Sequence, residues 1–255
     1  MDLELRDKAF LITGGSDGLG LALAHRLIEE GARVAICGRD QERLDEASAA
    51  LGANALCVRA DVTNDDELDA FVDATLERFG RLDGTVNNAG KSSSSSVAES
   101  TDDLWREDYE LKVIAALHVS RRVLPSLEAS RGAILNVLAT GARTPGANSA
   151  PTTASRAAGL ALTKALSNEA APRSVRVNAI LIGLIESGQW VRRAKESSVD
   201  LATFYSQMAK NSKVPLGRLG RADEFADLAS YLLSPRASYV TGVGISLDGG
   251  LSPVI

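Results

Sequence analysis

The apolar run Ala9-Phe10-Leu11-Ile12 passes through Thr13 into Gly14-Gly15-Ser16-Asp17-Gly18-Leu19-Gly20, and a helical pattern follows to about residue 30. Few segments constrain a fold so tightly. A strand that turns this sharply into a helix leaves the first amides of the helix aimed at the turn. Glycines let the backbone approach a ligand there, so the loop suits an anionic diphosphate. The strand–turn–helix context separates such a loop from a chance glycine triplet. The segment predicts a dinucleotide site in which Gly14, Ser16, Asp17, Gly18, Leu19 and Gly20 surround the diphosphate.

The rest of the chain repeats the same alternation. Apolar runs at 9–13, 33–37, 55–58, 84–87, 133–137, 175–180 and 244–247 read as strands. They are continuously apolar rather than alternating, as expected of strands covered on both faces. Helical patterns lie near 18–30, 41–51, 65–79, 102–127, 152–171 and 222–234. Repeated β-α units imply right-handed crossovers and a doubly wound, mostly parallel sheet flanked by helices. The expectation is one α/β Rossmann-type domain over 1–255.

Two segments interrupt the pattern. Lys91-Ser92-Ser93-Ser94-Ser95-Ser96 reads as a flexible loop after the fourth strand. The stretch at about 186–214 looks irregular and carries Trp190, Phe204 and Tyr205. A long excursion beyond a strand's carboxyl end overlies the ligand crevice in such sheets, so a lid-like insertion is expected there.

Gly38-Arg39-Asp40 closes the second strand. An NAD site commonly places a carboxylate here for the ribose 2′-hydroxyl. Gly38 has none, and Arg39 can pair with a 2′-phosphate, which favours NADP(H) over the alternative NAD(H). Asp40 and Asp17 oppose that preference by their charge.

A formal net charge of −5 argues against a nucleic-acid partner. No apolar run of membrane-spanning length occurs, and the charged first eight residues do not resemble a signal peptide, so a cytoplasmic protein is expected. The two cysteines, Cys37 and Cys57, read as reduced thiols within strands, and two histidines without a Cys/His cluster make zinc chemistry unexpected.

The chain resembles the classical short-chain dehydrogenase/reductase family almost from end to end. The resemblance is carried by the glycine loop, Asp61-Val62, Asn87-Asn88-Ala89-Gly90, Arg176-Val177-Asn178, Thr241-Gly242 and Asp248-Gly249-Gly250. It implies a seven-stranded sheet, a homotetramer or dimer, and hydride transfer between NAD(P)(H) and an alcohol or carbonyl. It also places Asp61, Val62, Asn88, Ala89, Gly90, Gly183 and Ile185 at the coenzyme.

The family's working group is Asn-Ser-Tyr-Lys, with the tyrosine four residues before the lysine. Tyrosine protonates the carbonyl oxygen, lysine lowers its pKa and holds the nicotinamide ribose, and serine stabilises the oxyanion. Here all four positions differ. Lys112 stands for asparagine, Ala139 for serine, Thr152 for tyrosine and Arg156 for lysine. Arg156 keeps the charge that holds a ribose but does not titrate. Thr152 is too weak an acid and too short to replace a phenol, and Ala139 donates nothing. Losing the acid and one oxyanion donor removes about 10²–10⁴ and about 10²–10³ in rate respectively. The standard mechanism is therefore not expected.

Lys112 can project an ammonium into the emptied pocket, or simply pair with Asp108 one helical turn away. Tyr205 is a further candidate donor, and Thr140 offers a hydroxyl beside Ala139. Three readings stay open. The first is an NADP(H)-dependent oxidoreductase with a non-standard proton donor, Lys112 or Tyr205. The second is a non-catalytic dinucleotide-binding protein or regulatory subunit. The third is a redox-neutral lyase or isomerase. No feature names the small-molecule substrate.

Overall fold

The computed structural model describes residues 1–255, with the side chains of Gln189 and Arg192 left undescribed. Seven strands form one sheet in the order β3-β2-β1-β4-β6-β8-β9. They are β1 (Ala9–Thr13), β2 (Arg33–Gly38), β3 (Ala55–Arg59), β4 (Gly84–Asn87), β6 (Ala133–Ala139), β8 (Arg176–Ile182) and β9 (Gly244–Leu247). Every pairing between them is parallel. The α-helices among the described residues are α1 (Gly18–Glu29), α2 (Gln41–Leu51), α3 (Asp65–Phe79), α4 (Asp102–Tyr109), α5 (Ala115–Ser130), α6 (Thr152–Ala170), α7 (Gly188–Glu196), α8 (Leu201–Asn211) and α9 (Ala222–Leu233).

The apolar runs become strands because both faces are buried. All five residues of β1 are buried, with Phe10 and Ile12 facing one core and Ala9 and Leu11 the other. The first core gathers Leu23 and Leu27 of α1, Leu44 of α2 and Phe225 and Leu232 of α9. The second gathers Phe71 and Val72 of α3 with Val119, Val123 and Leu127 of α5. The strand order reverses between β1 and β4, which opens a crevice at their carboxyl ends.

Three segments differ from the sequence expectation. The helix expected over 102–127 is broken by a π turn at Glu110–Ile114, and α5 continues to Ser130. Such a turn inserts one residue into the helical ladder and often marks a functional position. The serine run is tied down: β5 (Ser94–Ser95) pairs antiparallel with β7 (Ala150–Pro151), next to the start of α6. The stretch 186–214 is not irregular but holds α7 and α8, the second capped by Asp200, which accepts from the Thr203 amide.

No helix among the described residues is long and apolar enough to cross a membrane. Among the same residues no three His, Cys, Asp or Glu side chains gather as metal ligands.

Candidate active site and coenzyme cleft

A cleft of about 890 Å³ follows the carboxyl ends of the strands from Arg39 to Trp190. Gly14 sits at φ +65, and a Cβ there would lie 2.9 Å from the Ala89 Cα. A side chain on Gly38 would lie 2.7 Å from the Ser16 Oγ, so glycine keeps the cleft open beside Ser16. Gly20 acts differently from the expectation. It does not line the cleft; its Cβ would meet the Gly14 carbonyl oxygen at 2.4 Å, so glycine allows α1 to pack under the loop. Asn88 also has a positioning part, its amide donating to the carbonyls of Thr13 and Gly14 at 3.0 and 2.8 Å.

Asp17 caps α1 by accepting from the Gly18 amide at 2.7 Å. Its other oxygen faces Arg43, which also pairs with Asp40. The carboxylates that spoke against a 2′-phosphate are thus held by Arg43, a cleft residue that the sequence reading passed over. Arg39 is 73% exposed and reaches Asp61 at 3.9 Å. Asp61 is held in turn by the Thr63 amide and hydroxyl. Leu19, Val62, Ala89, Gly90, Gly183 and Ile185 all line the cleft. A second missed residue is Ser187, whose Oγ is buried on the same wall without a partner among the described residues. An orphaned hydroxyl in a ligand cleft points to a ligand polar atom.

At the other end the four altered positions meet. The π turn presents Lys112 inward, where its ammonium donates to Asp108 Oδ1 at 2.5 Å and to Thr152 Oγ1 at 2.6 Å. The expected pair with Asp108 is formed, while the ammonium itself is buried off the cleft wall and reaches it only through Thr152. The second Asp108 oxygen accepts from Ser155 Oγ at 2.5 Å, and the carboxylate is fully buried. Thr152 opens α6, and Arg156, one turn later, donates from Nη1 to the Val137 carbonyl at 2.8 Å. Its Nη2 lies beside Gly90, where a Cβ would stand 3.4 Å away. Burial is the main cause that brings the Lys112 ammonium down to about 8; the Asp108 bond opposes this, and Arg156 and Lys91 add to it.

Ala139 borders the cleft with a bare methyl group. Two further candidates lie off the cleft wall without a hydrogen bond to a cleft residue of the altered site. Tyr205 does not line the cleft but packs against Ala209, Val214 and Leu219, and burial, then Glu186, push its phenol up. Thr140 lies in the turn after β6 and is absent from the cleft wall. Trp190 of α7 does line it, with the Arg193 guanidinium 4.9 Å from the ring centre.

Residues 14–252 match the family model described as enoyl-(acyl carrier protein) reductase. The chain belongs to the classical short-chain dehydrogenase/reductase family. Among members of that family, human dehydrogenase/reductase SDR family member 4 is 30% identical, over 96% of this chain and 88% of its own length. A short-chain oxidoreductase of Pseudomonas aeruginosa PAO1, described as containing an atypical catalytic center, is 41% identical in its apo form. It superposes with a TM-score of 0.93 over 97% of this chain and 98% of that one. Its NADPH-bound form gives 40% identity and a TM-score of 0.92 with the same coverage. L-sorbose reductase of Gluconobacter frateurii, solved with NADPH and L-sorbose, is 32% identical with a TM-score of 0.94 and full coverage of both chains. In this short-chain dehydrogenase/reductase the cleft lies at the sheet's switch point.

Proposed function

We propose that the protein is an NADP(H)-dependent oxidoreductase that interconverts a carbonyl compound and its alcohol, with Lys112 as proton donor acting through the Thr152 hydroxyl. The observation that carries this reading is the chain of short hydrogen bonds from Asp108 through Lys112 to Thr152. Coenzyme binding is supported by the glycine-lined loop, the orphaned Ser187 hydroxyl and the NADPH complexes of the two relatives. Arg39 and Arg43 flank the place for a 2′-phosphate, and Arg156 the place for the nicotinamide ribose. The coenzyme supplies the hydride.

The protein supplies the rest. Thr152 alone is too weak an acid to protonate an alkoxide at neutral pH. Its oxygen, however, accepts from an ammonium poised near 8. The hydroxyl passes its own proton to the substrate oxygen as it takes one from Lys112, so the donor is the lysine and the threonine is the bridge. A donor of this pKa is well matched to neutral conditions. Asp108 holds the Lys112 ammonium in line, and Ser155 fixes Asp108. The guanidinium of Arg156, with Nη2 facing Gly90, puts a positive charge where an oxyanion develops and offsets the donor missing at Ala139. Threonine is shorter than tyrosine, so the substrate carbonyl sits deeper toward α6, in space bordered by Ala139.

The test is turnover with NADPH on carbonyl panels, together with titration of NADPH and NADH by nicotinamide fluorescence. NADPH-dependent reduction that disappears in Lys112→Met and survives in Tyr205→Phe supports the reading. Tight NADPH binding without turnover on any carbonyl, alcohol or enone would instead identify a non-catalytic binding protein.

A further inference from the structure

We infer that the substrate carries an anionic group, carboxylate or phosphate, close to its carbonyl, and that Lys91 receives it. This rests on the carbonyl-reducing reading above and extends it to the substrate's charge.

The argument is a local imbalance of charge. At the catalytic end stand three cations, Lys91, Lys112 and Arg156, with Lys91 and Arg156 on the cleft wall. Among the described residues two carboxylates pair with them. Asp108 is buried, and both its oxygens are used, by Lys112 and by Ser155. Glu107 Oε2 lies 3.7 Å from Lys91 Nζ, and both side chains are more than half exposed. Such an exposed pair contributes little and is readily exchanged for another anion. The coenzyme's diphosphate belongs at the glycine loop, where the amides that open α1 stabilise its charge.

The neutral hydroxyls nearest Lys91 and Thr152 are already engaged, Ser92 with Ser94 and Thr153 with the Ser149 carbonyl. Ala139 offers a methyl group, and the Thr152 hydroxyl is already committed to Lys112. Recognition in this part of the cleft therefore falls to charge. Lys91 follows Gly90, which itself packs beside Arg156 and Lys112, so an anion held by Lys91 lies on the same cleft wall as Thr152 and Arg156. Lys91 is also felt electrostatically at Lys112, where it disfavours the ammonium; a bound anion cancels that effect and keeps the donor charged when the substrate is present.

Matched pairs of probes test this: pyruvate and acetoacetate against their methyl esters, and dihydroxyacetone phosphate against dihydroxyacetone. Two readouts are needed, NADPH oxidation and perturbation of nicotinamide fluorescence in the protein–NADPH complex. At least one anionic member is expected to exceed its neutral partner tenfold or more in kcat/KM or in affinity; which pair responds distinguishes carboxylate from phosphate. Lys91→Glu should raise KM or Kd for that anion by tenfold or more, with NADPH affinity unchanged, while Lys91→Arg preserves both. If no compound is turned over but anions bind and Lys91→Glu abolishes that binding, the carbonyl-reducing reading fails and the anion site stands. Neutral partners that match or exceed the anions in both readouts would overturn the inference. So would an absence of binding and turnover for every anion, or indifference to Lys91→Glu.

Discussion

Replacing Lys112 by methionine removes the proton donor and also strands the buried Asp108, so the structural and chemical consequences have to be separated. Asp108 is fully buried and keeps only the Ser155 hydroxyl once the ammonium is gone. Leaving one member of a buried ion pair unpaired costs about 3–5 kcal/mol. For a chain of this size that is a fall in Tm of about 6–20 °C, at about 2–4 °C per kcal/mol. Asp108→Asn combined with Lys112→Met removes both charges, and most of that loss should return. Activity should behave differently. A positioned general acid contributes about 10²–10⁴ in rate, and both the single and the double variant lack it. NADPH oxidation followed alongside thermal melts of the wild type and both variants gives the answer. The pH profile adds a signature that a structural part would not produce. Reduction needs the ammonium, so the wild-type rate is flat below about 8 and falls as pH rises through that value. Oxidation of the alcohol needs the free amine, so it rises over the same range. A folded Lys112→Met protein with a rate within tenfold of wild type, or a double variant with restored turnover, refutes the reasoning.

Other expectations follow from the same geometry. Arg39→Ala and Arg43→Ala should each weaken NADPH binding by about tenfold, about 1.4 kcal/mol, the modest figure reflecting their exposure, and leave NADH nearly unaffected. Fluorescence titration of both coenzymes checks this. Gly20→Ala forces a methyl to within 2.4 Å of the Gly14 carbonyl, so coenzyme binding should fail and stability drop by about 1–3 kcal/mol in urea denaturation. Thr152→Ser keeps the bridging hydroxyl and should retain most of the rate. Thr152→Val should lose it as Lys112→Met does while keeping NADPH affinity, as measured by steady-state turnover and coenzyme titration.

The strands and the glycine loop were legible because their signals are local. β1 is apolar at every buried position but Thr13, and the loop's turn is written in consecutive glycines. Gly38-Arg39 was readable for the same reason. Arg43 was not, though its place in the first turn of α2, just after Arg39, is a usable cue. Ser187 likewise follows Gly183 at a short interval on the same cleft wall. The π turn could not be read, because Glu110-Leu111-Lys112-Val113-Ile114 looks like ordinary helix and only tertiary packing decides between the two windings. The link from Lys112 to Asp108 spans one helical turn and was visible as a pair. Its link to Thr152 spans 40 residues, and that of Asp108 to Ser155 spans 47, separations over which no local pattern carries information. Around Tyr205 no clear periodicity marks a helix; the cap at Asp200 is the local signal that α8 begins there and turns a face inward.

The extra residue wound into 110–114 also ties the length of this chain to its interior. Downstream of it, Ala115, Val119, Val123 and Leu127 occupy one stripe of α5 against the second core. Excising one residue from the turn would rewind it as ordinary helix and rotate that whole stripe by about 100° toward solvent. A chain trimmed there would lose its donor and its hydrophobic register in the same stroke. Variation at this position is thus confined to exchanging one side chain for another, never to shortening the chain.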